Sequence, residues 1–528
     1  MNLDDKKKLV TTYLEKGILL DPTVVEGDPG QLAEELLEED LSNQVLLTFP
    51  VLSTLKTESY SNINWSEFDK ALALYQKGKD KNLLSTFLDY FKNVPNTNLT
   101  VALEDSKETD IIKEINFKDK TQKIDVTTFI SHFNIRYRRF VDIMRSRTEL
   151  QNLISIRRIS QTQGRTNISL IGAVMDKIKT KNGNILLVLE DPTGKVNVLV
   201  NKNSADLFNL AEDIGYDETI GVSGSSHDGA MVFANNLIWP DIPLDTELRK
   251  SPNEDYAVFI SDIHLGSTAF LKKEFLDFLE WIKGNLGSRK QRELAQRVKY
   301  LFILGDLVEG VGIYPGQEEE LLIKDIVEQY GALAQLLSTV PKNIKIIVCS
   351  GNHDAVRIAE PQPPPYTDLA KPLYDLPNLV MVSNPSTINI GKTKNFQGFN
   401  ILIYHGYSFT YYADTIESIR LAGGLERVDL IAKYLLKRRH LAPAHGSALY
   451  VPGYDVDPLF IEKIPDLFVS GHVHRATHSN YRNITILNCS CWISQTKYQE
   501  KVGLKPQPAK AAIVNLNTRK TNFLSFLN

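Results

Sequence analysis

With 528 residues the chain is too long for one hydrophobic core, and two to four domains are expected. Its 42 % hydrophobic and 23 % charged residues are ordinary for a globular protein, and a net charge of −4 over this length decides nothing about partners. Three cysteines (Cys349, Cys489, Cys491) exclude a disulfide framework and fit a reducing interior, where they read as buried small hydrophobes.

The chain opens on Met1-Asn-Leu-Asp-Asp-Lys-Lys-Lys, without the apolar core of a signal peptide, and no run approaches the ~18 apolar residues of a membrane span. A cytoplasmic protein with no membrane partner is expected. Residues 1–45 read as a small acidic helical domain, with Leu9, Tyr13 and Leu14 on one face and Leu32, Leu36 and Leu37 on another. Residues 46–124 are weakly patterned, with a helix candidate near Trp65–Phe91 and a polar linker from Asn93 to Lys123. From Asp125 the chain is denser. Phe133, Tyr137, Phe140 and Ile143 recur at helical spacing, and Arg136, Arg138, Arg139, Arg145 and Arg147 lie on the other faces, with Arg157, Arg158 and Arg165 beyond. Such a stripe can contact DNA or another subunit, and it can equally be a solvated face paired with acidic neighbours.

Residues 167–240 read as strands: Asn167–Ile178, Ile185–Glu190 and Lys195–Val200, a short helix at Ala205–Glu212, then Thr219–Ser223 and Ala230–Ile238. Three strands, a helix and two strands is the order of an OB-fold β-barrel, so 125–245 is expected to be an Arg-rich helix with an OB-fold domain. The prolines of Pro240–Pro252 suggest a hinge. From 250 to 528, strands alternate with amphipathic helices, one marked by Leu322, Ile326, Tyr330, Leu333 and Leu337, another by Phe275, Leu279 and Ile282. This is the grammar of an α/β domain. Pro361-Gln-Pro-Pro-Pro365 reads as a rigid surface loop.

Five apolar runs in this last domain end in Asp, Asn or His, mostly beside Gly. Tyr256–Ile260 leads to Asp262-x-His264, Tyr300–Leu304 to Gly305-Asp306, and Ile344–Val348 to Gly351-Asn352-His353. Asn400–Tyr404 leads to His405-Gly406, and Leu467–Ser470 to Gly471-His472-x-His474. In open α/β sheets, ligands gather beyond the carboxyl ends of the strands. Asp262, His264, Asp306, Asn352, His405, His472 and His474 are O and N donors without cysteine, a mixture suited to Mn²⁺, Fe or Zn²⁺. Seven donors are too many for one ion, whereas a carboxylate bridging two ions accounts for the number and fits phosphoester hydrolysis. His353, directly after Asn352, is placed to act as a catalytic proton donor or cationic stabiliser.

These five motifs, in this order, resemble those of calcineurin-like metallophosphoesterases. The resemblance implies a two-sheet sandwich flanked by helices, with Asp306 bridging. Asp262, His264 and His474 would then hold one ion, Asn352, His405 and His472 the other, and His353 would be catalytic. A narrower resemblance spans most of the chain. Asp125-Val-x-x-Phe129, His132-Phe133, Arg136-Tyr137, the barrel and Arg438-Arg439-His440-Leu441-Ala442-Pro443-x-His445-Gly446 are similar to archaeal family-D DNA polymerase small subunits. That family implies a 3′–5′ proofreading exonuclease, DNA with a single-stranded primer 3′ end as substrate, a large catalytic polymerase subunit as partner and, through it, a sliding clamp. His445 falls in the family's own motif, with a site role and a structural role both open. A stand-alone repair nuclease and a scaffold subunit with a vestigial metal site are the alternative readings.

Overall fold

The computed structural model describes residues 111–118, 123–227, 229–501 and 503–527, together with a short parallel pairing of Leu19–Leu20 with Leu46–Leu47. The expected helical domain over 1–45 and the helix near Trp65–Phe91 otherwise lie outside the described residues. Residues 107–528 form one compact unit.

Its first element corrects the expected linker. Ile111–Asn116 (β1) is an edge strand, antiparallel to Ser386–Ile390. Polar residues disguised it, because an edge strand needs to bury little: only Ile111 is fully buried, while Lys113 reaches Met381 O at 2.7 Å and Glu114 pairs with Lys463. The helix Val126–Met144 (α1) starts on a capping box in which Asp125 Oδ1 accepts from Thr128 N at 2.9 Å and Thr128 Oγ1 accepts from Asp125 N at 3.3 Å. Its buried face is His132, Arg136, Phe140 and Met144, rotated from the expected seam. Arg136 is therefore withdrawn from the predicted contact surface. It is 4 % exposed, with Nε on Asp457 Oδ2 at 2.5 Å and Nη1 on Pro443 O at 3.1 Å. Arg139 pairs with Glu462, and Arg147 Nη2 donates to Trp239 O at 3.0 Å, whereas Arg138, Arg145, Arg157, Arg158 and Arg165 are exposed.

After a single turn at Ile156–Ile159 (α2) comes a closed barrel. Its strands are Arg165–Lys179 (β2), Ile185–Asp191 (β3), Gly194–Val200 (β4), Thr219–His227 (β5) and Val232–Ile238 (β6), with Ala205–Glu212 (α3) between β4 and β5. The order around the barrel is β2-β3-β4-β6-β5. The long strand β2 pairs with β5 over Arg165–Ala173 and with β3 over Ala173–Lys179, with a bulge between Val174 and Asp176 inside the second ladder.

The remainder is two six-stranded sheets. In chain order come Tyr256–Ile260 (β7), Lys272–Ile282 (α4), Arg289–Ala295 (α5), Val298–Leu304 (β8), Ile326–Leu337 (α6), Lys345–Cys349 (β9), Thr367–Tyr374 (α7) and Leu379–Met381 (β10). Then follow Ser386–Ile390 (β11), Phe399–Tyr404 (β12), Phe409–Thr415 (α8), Glu417–Leu421 (α9), Val428–Arg438 (α10) and Leu467–Ser470 (β13). Thr477–Tyr481 (β14), Ile484–Asn488 (β15), Lys497–Lys501 (α11), Lys510–Asn515 (β16) and Thr521–Ser525 (β17) complete it. One sheet runs β10-β9-β8-β7-β16-β17, the other β14-β15-β13-β12-β11-β1. Alternation along each strand explains the layers. In β7, Ala257 and Phe259 pack against Ile401 and Val469 of the other sheet, while Val258 and Ile260 pack outward under Phe275 and Tyr330 of α4 and α6. In β12, Ile401 and Ile403 face inward and Leu402 and Tyr404 pack under α8 and α10. Both faces are buried, so these strands read as unbroken apolar runs. Leu322 is the exception among the expected helix residues: α6 begins at Ile326, and Leu322 is exposed.

Two further expectations are corrected. The segment Pro240–Pro252 is no free hinge, since Asp241 N donates to Lys437 O at 3.0 Å, Ser251 N donates to Leu516 O at 2.8 Å, and Ile242 is buried. Pro361, Gln362, Pro363 and Pro365 are buried too, so this stretch is not the expected surface loop. The barrel is bolted down by Glu218, whose carboxylate meets Arg438 Nε at 2.6 Å, Trp239 Nε1 at 3.1 Å and the Tyr434 hydroxyl. Among the described residues, no helix is long and apolar enough to cross a membrane.

Asp457 is the second bolt. It gathers Arg136, His440 Nε2 at 2.9 Å and His132 Nε2 at 3.5 Å, joining α1 to the sandwich. Removing one partner of a buried pair strands the other charge, so Arg136→Ala is expected to cost about 3–5 kcal/mol in denaturant unfolding. A loss under about 1 kcal/mol, the scale of an exposed pair, would show that this one is dispensable. Burial and the charge of Arg136 push His440 down to about 4, while an unfolded histidine titrates near 6.5. Between those values only the unfolded chain takes up that proton, so stability falls as pH drops from about 6.5 towards 4. In His440→Gln that slope is expected to be shallower.

Candidate metal centre

The donors sit just past the carboxyl ends of β7, β8, β9, β12 and β13. Parallel pairing within each sheet brings these ends to one edge, and the ladder continues beyond the strands. Asp262 N donates to Gly305 O at 3.0 Å, His264 N to Asp306 O at 3.0 Å, and Gly471 N to His405 O at 2.9 Å. Asp262, His264, Asp306, His472 and His474 all take left-handed backbone, with φ of 53°, 50°, 48°, 68° and 58°. Each such residue costs of order 1–3 kcal/mol and persists only where its surroundings enforce it. Two glycines leave room for the carboxylates: a Cβ on Gly351 would lie 2.3 Å from Asp306 Oδ1, and one on Gly471 2.7 Å from Asp262 Oδ2.

The seven expected donors fall into two groups. In one, His474 Nε2 lies 3.3 Å from Asp262 Oδ1 and 3.3 Å from His264 Nε2, which is itself 4.0 Å from Asp262 Oδ1. In the other, His405 Nε2 lies 3.3 Å from Asp306 Oδ2 and 3.1 Å from Asn352 Oδ1, and His472 offers a nitrogen within 4.8 Å of Asp306 and His405. Asp306 stands between them, since its Oδ2 is also 3.7 Å from His264 Nε2, and His264, Asp306 and His353 make a third, overlapping group. Ligands about 2.1 Å from a shared ion stand about 3.0 Å apart at right angles and about 3.4 Å apart at the tetrahedral angle. The nearest spacings match, and the all-N/O donor set suits a borderline divalent cation, so the groups could hold metal.

Partners behind the donors fix the rings. His264 Nδ1 faces Glu309 Oε2 at 3.0 Å, His405 Nδ1 donates to Leu304 O at 2.8 Å, and His474 Nδ1 is 2.8 Å from the Gln499 side-chain amide. An acceptor there, the Leu304 carbonyl behind His405 or the Glu309 carboxylate behind His264, selects the tautomer that leaves Nε2 for an ion, whereas Gln499 Nε2 donates to His474 Nδ1. Glu309 and Gln499 were missed in the sequence, although Glu309 stands only three residues after Asp306; Gln499 has no local signal at all. Asp354 braces the loop that carries Asn352 and His353 by accepting from Gly351 N at 2.8 Å and Leu307 N at 3.2 Å, and burial pushes its carboxyl up to about 7. Burial would depress His405, yet the Asp306 carboxylate raises it to about 10, while burial and the His405 charge push His472 down to about 3.

His353 lies between the groups and the solvent. Its ring is edge-on to His264 at 4.6 Å, its backbone N donates to Asp306 Oδ1 at 2.8 Å, and its Nδ1 donates to Glu309 O at 2.9 Å. His445 is not drawn into the cluster. Its contacts are Tyr450 OH at 2.8 Å, Asp217 through its backbone N at 2.8 Å, and the Phe133 ring. Cys349, Cys489 and Cys491 are buried and free.

A family model for calcineurin-like phosphoesterases matches residues 257–476, which hold all seven donors and His353. The chain is 36 % identical over 450 residues to the DNA polymerase II small subunit of Methanothermobacter thermautotrophicus, covering 84 % of this chain and 90 % of that protein. For the Archaeoglobus fulgidus protein of the same name the values are 36 % over 444 residues, 82 % and 86 %. For the Pyrococcus furiosus one they are 38 % over 408 residues, 77 % and 64 %. Identity sustained over most of the Methanothermobacter and Archaeoglobus proteins places this chain in the family of archaeal DNA polymerase II small subunits, with a calcineurin-like phosphoesterase domain at its C-terminal end.

Proposed function

We propose that the chain is the 3′–5′ proofreading exonuclease subunit of a two-subunit replicative DNA polymerase, hydrolysing phosphodiesters at a primer end with two divalent ions, Mn²⁺ by preference. The observation that carries this reading is the place of Asp306, whose Oδ2 stands 3.3 Å from His405 Nε2 and 3.7 Å from His264 Nε2, between the two sets of donors. Asp262, His264 and His474 would hold one ion, Asn352, His405 and His472 the other. Bound there, two divalent ions supply charge stabilisation to the attacking and leaving oxygens of a phosphodiester and acidify a water.

The remaining steps belong to side chains. His353 has Nδ1 committed to Glu309 O, so Nε2 is the nitrogen left to deliver a proton to the leaving oxygen. Glu309 holds both His264 and, through its backbone, His353 in register. The barrel, with its order of three strands, a helix and two strands, reads as an OB-fold, and the exposed Arg138, Arg145, Arg157, Arg158 and Arg165 read as a surface for DNA or the large subunit. Purified complex, Mn²⁺ and a primer–template labelled at the primer 5′ end, with the products sized, test the activity and its polarity. A ladder of labelled, shortened primers is expected; release of the label as a mononucleotide would overturn the polarity.

Three outcomes are expected. Asp306→Ala abolishes hydrolysis and lowers the bound metal at both positions, read by elemental analysis on protein whose circular dichroism is unchanged; full activity at saturating Mn²⁺ would refute the shared carboxylate. His353→Ala slows hydrolysis by ~10²–10⁴-fold with metal content intact. Loss of a metal instead would make His353 a ligand. Replacing Arg138 and Arg145 by Glu weakens DNA binding or subunit association in a salt-dependent way, with hydrolysis of a small phosphodiester spared. Parental DNA binding and subunit co-purification would leave this stripe a solvated face.

A further inference from the structure

Beside His353, a loop at 310–316 presents apolar side chains to solvent. Val311, Ile313 and Tyr314 are 45 %, 38 % and 36 % exposed. Three glycines would make such a loop pliable, yet its base is pinned from inside. Gln317, 1 % exposed, accepts from Ile313 N at 2.9 Å and donates to Glu309 O at 3.1 Å. Gln329, fully buried, accepts from Gly310 N at 2.9 Å and donates to Gly310 O at 3.2 Å. The Tyr314 ring stands edge-on to His353 at 6.4 Å, and its hydroxyl donates to Glu320 at 2.9 Å and to Glu309 at 3.3 Å.

We propose that this loop seats the base of the nucleotide being removed, with Tyr314 as the ring it stacks on; the proposal rests on the nuclease reading above. Chemistry selects the base over the rest of the nucleotide. Glu309 on one side and Glu318, Glu319 and Glu320 on the other flank the loop and disfavour a phosphate track, whereas an uncharged base finds an aromatic face and two aliphatic side chains there. A ring already held by two carboxylates loses little freedom when a base settles on it. A base on Tyr314 has left its neighbour in the strand, so ends that fray, among them mispaired ones, reach the site most readily.

A cycle combining Tyr314→Ala with removal of the base tests this. The full chain with its large subunit and Mn²⁺ is given end-labelled single strands whose last 3′ nucleotide is normal or abasic. On the normal end Tyr314→Ala is expected to raise KM by roughly 5- to 150-fold, the range of one base–aromatic stack. On the abasic end parent and variant are expected to be alike, since the contact is already gone. Tyr314→Phe, which keeps the ring, retains the dependence on the base, and equal manganese content in all three proteins excludes damage to the metal groups. Equal losses on both ends, or dependence only on the second-last base, overturn the assignment. A parent that degrades DNA ends without this coupling overturns the loop alone; a parent that degrades no DNA end overturns the nuclease reading and the loop with it.

Discussion

Everything at the strand ends answers to one electrostatic constraint. Two carboxylates, Asp262 and Asp306, are buried among four imidazoles and an amide oxygen. In a protein interior such a collection is expensive unless cations complete it. The chain accepts that expense with left-handed backbone at five donors and with glycines where a side chain would strike a carboxylate. It then holds the rings from behind with Glu309, Leu304 O and Gln499. None of these devices aids folding. They make sense as preparation for positive charge, gathered at the rim where parallel strands of both sheets end.

Much of this was legible in the sequence, for a physical reason. Strands buried on both faces are unbroken apolar runs, and a donor one to four residues past such a run has few directions in which to point. The barrel was legible because turns such as Lys181–Asn184 and Asp191–Gly194 punctuate it. Other features depend on partners far along the chain. Arg136 looked like one of a row of surface arginines until Asp457, 321 residues on, gave it a buried mate. Pro361–Pro365 looked like surface because prolines usually lie there; its burial follows from Glu360 and Gln362 pairing with Tyr450 and Asn384. Glu309 and Gln499 act through what they hold, and neither belongs to a motif.

The barrel and the sandwich form a continuous body. Glu218 with Arg438 and Tyr434 at one junction, and Asp457 with Arg136, His440 and His132 at another, are buried polar joints. The arginine-rich motif around Arg438–His440 is thereby explained as architecture: Arg438 reaches the barrel, Arg439 donates to Ile461 O at 2.9 Å, and His440 meets Asp457. Charged joints of this kind set relative orientation more than they add stability, because a wrong docking leaves a buried charge alone.

The edge strand β1 gives the chain an unusual order of assembly. Its partner β11 lies far downstream, with Ser386 Oγ reaching back across 271 residues to Ile115 O, beyond the helix, the barrel and four strands of the other sheet. The barrel is thus spliced into the sandwich, and the sandwich begins before the barrel does. On the ribosome, Ile111–Asn116 emerges early and waits until Ser386–Ile390 follows, while the barrel between them is free to close. A fragment cut at the barrel's end would carry the metal groups with a bare β11 edge, open to pairing with another molecule. The phosphoesterase is a domain in space without being a segment in sequence.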